Sequence, residues 1–251
     1  MTRDGNVHVW SRLVGNGPTP FQHAVTGFFG RRQAGPGSGQ YPTRALSRFV
    51  AALVDQPAPV VVDLGPAQGA NVTFLGDTLS CTLDVEDLLS DLATWGPLQL
   101  DAVPSAGLES DAARLCAERE RGRRAQAAAR ILPRVTGSVD GVLGWDLVDH
   151  LDEEAARALA QEVVRILRPG GVLFLCHSTD RHSEARLYEI IDAMTLRHRS
   201  GPSEWPTRRV WPSRAITDMY SELVICDSFL LTNRMRELVL RKLPAPAVPE
   251  R

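Results

Sequence analysis

Lysine is almost missing from this chain: of 28 cationic residues only Lys242 is lysine, and the rest are arginine, a bias we read as one of coding. Cysteine is scarce too. Cys81, Cys116, Cys176 and Cys226 lie far apart, with no Cys-x-x-Cys pair and no histidines at ligand spacing, which argues against a zinc site or redox motif. We therefore expect no metal. An excess of either charge is lacking, since 28 cations against 30 Asp and Glu leave a net charge of −2. That excludes wholesale polyanion binding and leaves room only for a local basic patch. No run approaches the roughly 18 apolar residues of a membrane span. The first residues, MTRDGNVHVWSRLVGNG, lack the apolar core of a signal peptide. The expectation is cytoplasmic residence with reduced thiols and no membrane partner.

What is present fits one large globular domain with appendages, with 251 residues of which 43% are hydrophobic. Eight of the twenty glycines fall within residues 1–40. Such a segment has much chain entropy to lose for few apolar contacts, so residues 1–42 are expected to form a flexible arm. Trp10, Phe21, Phe28 and Phe29 suggest that part of it docks, and it offers a route to oligomers. The domain is expected over residues 43–243, and the proline-bearing stretch 244–251 as an unstructured tail.

Within the domain, Leu46, Phe49, Val50 and Leu53 mark an amphipathic helix. Strands are expected at Val60–Leu64, Leu79–Leu83, Leu98–Val103, Val139–Gly144 and Val172–Cys176. Before the last, Asp152 can cap a helix bearing Ala156, Leu159, Val163, Ile166 and Leu167, ending at Pro169-Gly170-Gly171. A further helix is expected after the fifth strand. Strands alternating with helices imply parallel crossovers and a sheet covered on both faces. From Leu223 to Lys242 two apolar runs flank Thr232-Asn233-Arg234, which suits an antiparallel hairpin. Residues 105–132, rich in Arg and Glu, read as an inserted helical segment with a solvated face.

The stretch VVVDLGPAQGAN from Val60 carries the most chemistry. It places Asp63 at the end of a buried strand, ahead of a glycine turn that enters a helix, where open parallel sheets bind ligands. A dinucleotide fingerprint needs glycine at the first, third and sixth positions. Counted from Gly65, the third and sixth are Ala67 and Ala70, which weakens an NAD-dependent oxidoreductase. Asp63 would also face an anionic pyrophosphate without compensation. It would suit a cation, and S-adenosylmethionine carries a sulfonium and an ammonium and no phosphate. About 20 residues on, a carboxylate can hold a ribose diol. Asp84 lies 84 − 63 = 21 residues after Asp63 and Glu86 lies 23 after it. Strand alternation puts both on one side and Asp87 on the other, and the choice between the two stays open.

These residues resemble the class I S-adenosylmethionine-dependent methyltransferases. VVDLGPAQG is similar to their first motif, LDVED to their acidic ribose position, DGVLGWDLVDHLDEE to their fourth-strand motif and RILRPGGVLFL to their helix, turn and fifth strand. The order holds from about residue 43 to 242. The resemblance implies an α/β, Rossmann-like doubly wound sheet of seven strands, mostly parallel, with an antiparallel strand in the C-terminal hairpin. It implies that Asp63, Gly65, Pro66, Ala67 and Gly69 line the methionine end of S-adenosylmethionine, that Asp84 or Glu86 holds the ribose, and that Trp145 and Asp146 lie beside the transferred methyl. The glycine motif is reduced to Gly65 and Gly69.

Methyl transfer from a sulfonium depends chiefly on positioning and desolvation. A general base helps an acceptor of high pKa, and His150 and His177 are the candidates. The segment 200–216 is expected to face the substrate, with Trp205, Arg208, Arg209 and Trp211 clamping a planar anion or stacking on a base. The expected activity is methyl transfer to a small molecule. The alternative is an inactive binding or regulatory protein of the same fold, and an RNA methyltransferase or an NAD-dependent enzyme is less favoured.

Overall fold

A computed structural model describes residues 39–88, 132–180, 185–202, 205 and 208–244, together with the backbone of 7–9. The expected strand Leu98–Val103, most of the 105–132 insertion, most of the N-terminal arm with its four aromatic residues, and nearly all of the tail lie outside these residues.

A seven-stranded sheet forms the centre. In chain order its strands are β1 (Val7–Val9), β3 (Val60–Asp63), β4 (Thr82–Val85), β5 (Val139–Leu143), β6 (Leu167–Ser178), β9 (Leu223–Leu230) and β10 (Met235–Lys242). Their spatial order is β1-β4-β3-β5-β6-β10-β9. The pairs from β1 to β6 are parallel, and β10 runs antiparallel to both β6 and β9. The expected Rossmann-like sheet with a terminal hairpin is thus present. Its far edge is held by β1, from the segment expected to be a flexible arm.

Helices cover both faces. On one lie α1 (Ala45–Leu53) and α2 (Gly69–Leu79), and on the other α3 (Glu153–Ile166) and α4 (Ser213–Met219). The apolar stripe of α1, Leu46, Phe49, Val50 and Leu53, is buried. It packs so closely on β5 that a Cβ at Gly141 would stand 2.7 Å from Leu53 Cδ1. The first turn of α1 is held by a buried carboxylate: Glu237 Oε2 accepts bonds from the Thr43 hydroxyl at 2.9 Å and from the amides of Arg44 and Ala45 at 3.2 Å, an anion placed where helix amides are otherwise unsatisfied. Asp152 caps α3 as expected, accepting from the Ala155 amide at 2.8 Å.

Three local readings change. The second strand starts at Thr82 rather than Leu79, because α2 runs on to Leu79 and ends at Ser80 in the left-handed region. Pro169-Gly170-Gly171 does not separate helix from strand. It lies within β6, where the register against β5 slips and Gly170 takes φ +84°, a bulge that accommodates proline inside a sheet. The helix expected after the fifth strand is replaced by a hairpin, β7 (Arg186–Asp192) and β8 (Thr195–Ser200), which joins β2 (Gly39–Pro42) in a three-stranded antiparallel sheet ordered β2-β8-β7. Tyr188 and Ile190 alternate inward, a period of two, and Asp192 Oδ1 accepts the Met194 amide at 2.8 Å to close the turn. The expected boundary at residue 42 therefore falls at the end of a strand already paired with β8.

Candidate functional site

The strand order reverses around β3, with β4 on one side and β5 on the other. The carboxyl ends of β3 and β5 border the crevice where doubly wound sheets take ligands. Asp63 ends β3 and is 1% exposed. Its Oδ1 accepts the Trp145 indole N–H at 2.6 Å and the Gly65 amide at 3.0 Å. Burial drives its pKa up to about 7, against these donors, which lower it. No cation pairs with Asp63 among the described residues.

Trp145 follows β5 with φ +43°, a left-handed conformation that an aromatic residue adopts at a cost of about 1–3 kcal/mol. Three contacts hold it there: the bond to Asp63, a parallel stack on Tyr188 with centroids 5.4 Å apart, and an edge contact with Phe174. A stack of this kind contributes about 0.5–1.5 kcal/mol beyond area burial. The indole lies against the turn, so a Cβ at Gly65 would stand 2.7 Å from Trp145 Cδ1. Glycine is required here for close approach. Pro66 is half-buried, and Ala67 and Gly69 are exposed, with nothing within 4 Å of a Cβ at Gly69.

Asp84 and Glu86 share one side as expected. Arg134 bridges them, Nη1 to Asp84 at 2.7 Å and Nη2 to Glu86 at 3.1 Å. The Glu86 amide also donates to the Asp63 carbonyl at 2.7 Å, tying the ends of β3 and β4 together.

On the β5 side lies a second buried acidic group. Arg208 Nη2 stands 2.6 Å from both Asp146 Oδ2 and Asp149 Oδ2. Asp146 also accepts the Tyr188 hydroxyl at 2.8 Å, and Asp149 accepts the Ser178 amide at 2.7 Å. Asp149 is raised to about 7 by burial, with Arg208 lowering it and neighbouring Asp146 raising it. The Arg209 amide donates to the Asp149 carbonyl and the Trp211 indole to the Val148 carbonyl. Residues 208–211 are thereby fastened to the 3₁₀ turn Leu147–His150.

This corrects the reading of Trp205, Arg208 and Trp211 in segment 200–216 as a substrate-facing clamp. Trp205 and Trp211 are core residues packed on the α3 and α4 face, and the Arg208 guanidinium is spent on two internal carboxylates. Arg209 alone among the four is exposed, over the Trp211 ring at 5.2 Å. The two histidines are not brought to Asp63. His177 is on β6 with Leu173 and Leu175, facing away from Trp145 by strand alternation, and is fully buried with its pKa lowered to about 4 by desolvation. His150 packs edge-on against Trp205 on that same side.

Sequence reasoning missed Tyr188, Asp149 and Asn71. Asn71 ends the stretch VVVDLGPAQGAN, two residues past the first motif. Its side chain accepts the Ile190 amide at 2.7 Å and donates to the Tyr188 carbonyl at 3.2 Å, so α2 carries the small sheet. No signal local to Tyr188 could have found it, because its role depends on a hairpin read as a helix.

No family model and no curated protein matches the chain. Solved structures do. 1,6-Didemethyltoxoflavin-N1-methyltransferase from Burkholderia thailandensis, with S-adenosylhomocysteine bound, is 14% identical over 80% of this chain and 79% of its own, with a TM-score of 0.42. The cyclase SpnF is 13% identical over 84% and 88%, with a TM-score of 0.48. A putative sarcosine dimethylglycine methyltransferase from Galdieria sulphuraria is 13% identical over 78% and 85%, with a TM-score of 0.43. Likeness this distant assigns neither a reaction nor a cofactor; the α/β architecture stands on the strand order itself.

Proposed function

We propose that the chain is an S-adenosylmethionine-dependent methyltransferase acting on a small molecule. The observation that carries the reading is Asp63, a carboxylate buried at the edge of the crevice, held by neutral N–H donors and paired with no cation among the described residues. Such a group is costly unless a ligand brings positive charge. A phosphate-bearing dinucleotide would add charge of the wrong sign.

The residues fit the cofactor in kind. Asp63 would hold the ammonium end, with the Gly65 amide fixing the carboxylate. Asp84 and Glu86, set side by side by Arg134, would meet the ribose hydroxyls. Trp145 and Asp146 would border the reacting centre. Pro66, Ala67 and Gly69 leave the outer side of the turn open to a ligand. When bound, S-adenosylmethionine supplies an electrophilic methyl group on sulfur. The chain's part is to orient the reactants and exclude water, for which the aromatic wall of Trp145, Tyr188 and Phe174 is suited.

Calorimetric titration with S-adenosylmethionine and S-adenosylhomocysteine tests the reading: wild type should bind both, and Gly65→Val should abolish binding by displacing Trp145. Absence of binding by wild type would sink it.

A second reading is favoured by one specific observation, the packing of the Trp145 indole onto Gly65 while Arg134 occupies both ribose-side carboxylates. It is a binding or regulatory protein that has kept the fold and lost the reaction. Cofactor that binds without release of S-adenosylhomocysteine across a panel of acceptors supports it, and release of that product dismisses it.

A further inference from the structure

The small sheet has a face that the cofactor does not explain. Its register pairs Tyr188 with His198, Arg186 with Ser200, Gly39 with His198 and Tyr41 with Leu196. In antiparallel pairs directly opposed residues share a face and alternate residues return to it. Arg186, Tyr188, His198 and Tyr41 therefore lie on one side. That side is turned toward the crevice, because Tyr188 stacks on Trp145 and donates to Asp146.

Three of these side chains, Tyr41, His198 and Arg186, form a cluster, with Tyr41 also packed against the core. The Tyr41 and His198 rings stand 5.8 Å apart, tilted by 46°. Arg186 lies within electrostatic reach of both: burial raises Tyr41 and lowers His198, and the Arg186 charge pulls each of them down. Among the described residues the Arg186 side chain has no acidic partner and no hydrogen bond, and its Nη1 is buried with its donors unmet. Its neighbours differ: Arg197 and Arg199 pair with Glu189, Arg208 with Asp146 and Asp149, and Arg134 with Asp84 and Glu86. A guanidinium donor removed from water and left unpaired is destabilising by more than a typical hydrogen bond contributes. Arg186, His198 and Tyr41 are all half-buried, so the cluster is reached from solvent.

We propose that this face binds a small aromatic carboxylate, with the Arg186 guanidinium pairing with the carboxylate and the Tyr41 and His198 rings forming an aromatic wall along one side of the ligand ring. A guanidinium fork matches a carboxylate in shape and charge. That the bound molecule is the methyl acceptor rests on the methyltransferase reading; that the site takes an aromatic carboxylate does not.

Ligand-observed NMR titration of the full chain with benzoate, and with benzamide as its uncharged counterpart, tests the site. Wild type should bind benzoate at least about tenfold more tightly than benzamide, the scale of a charge-assisted pair. Arg186→Gln should lose that preference while binding S-adenosylhomocysteine as wild type does. Arg186→Lys should retain part of it, which keeps the test decisive if the glutamine variant fails to fold. Equal binding of the two probes, no binding of either, or an undiminished preference in Arg186→Gln would overturn the proposal. Benzoate preference with no S-adenosylhomocysteine binding would leave the site standing and remove the methyltransferase reading.

Discussion

Two carboxylate groups flank the same crevice, and they are stabilised in different ways. At the end of β3, Asp63 is surrounded by neutral donors and aromatic rings. At the end of β5, Asp146 and Asp149 share the guanidinium of Arg208. Asp63 and Asp149 both reach a pKa of about 7, burial being the first cause in each. For Asp149 part of that cost is offset by an internal cation, and the group fastens residues 208–211 to the turn after β5. For Asp63 the partial offset comes from neutral donors alone. The β5 group is a cross-link; the β3 group, which no cation among the described residues pairs with, is the one we propose receives a positive charge from a ligand.

The largest effect should come from breaking the cross-link. Arg208→Ala leaves Asp146 and Asp149 buried without their cation and should cost about 3–5 kcal/mol in denaturant unfolding. Gly65→Ala should cost about 1–3 kcal/mol, since its Cβ forces the rigid indole of Trp145 to move, and tryptophan fluorescence should report the displacement.

Asp63→Asn should act in the opposite direction. The folded-state pKa of Asp63 is raised from 3.8 to about 7, so the folded chain holds a proton that the unfolded chain releases. Its penalty is absent below about pH 3.8, grows as pH rises, and is complete above about pH 7. The asparagine variant should therefore be more stable than wild type at pH 8, by about 2 kcal/mol and no more than about 4, and should lose that advantage at pH 4. The smallest effect should come from Arg134→Gln, whose partly exposed ion pairs should contribute about 1 kcal/mol or less.

Much of the main sheet was legible because its signals are local. Val60–Asp63, Asp152 as a cap and the hairpin around Thr232-Asn233-Arg234 are each written within a dozen residues. The small sheet was not, because its first strand lies in a glycine-rich segment and its other two, near residue 190, carry a period of two too short to separate from a helix in an α/β context. The placement of the carboxylates was legible on the β3 and β4 sides, where Asp63 and Asp84 lie at the expected strand ends and Glu86 just beyond. The site was misread in segment 200–216, because nothing in the spacing of Trp205, Arg208 and Trp211 distinguishes a surface clamp from a buried ion pair with two core indoles.

The central claim is that Asp63 receives a cationic ligand, and S-adenosylmethionine affinity measured by calorimetry at pH 6 and pH 7.5, in wild type and in Asp63→Asn, tests it most directly. With a carboxylate of pKa about 7, wild type should bind several-fold more tightly at pH 7.5, while the asparagine variant should bind weakly at both. Equal affinity at the two pH values, together with undiminished binding by Asp63→Asn, would contradict it.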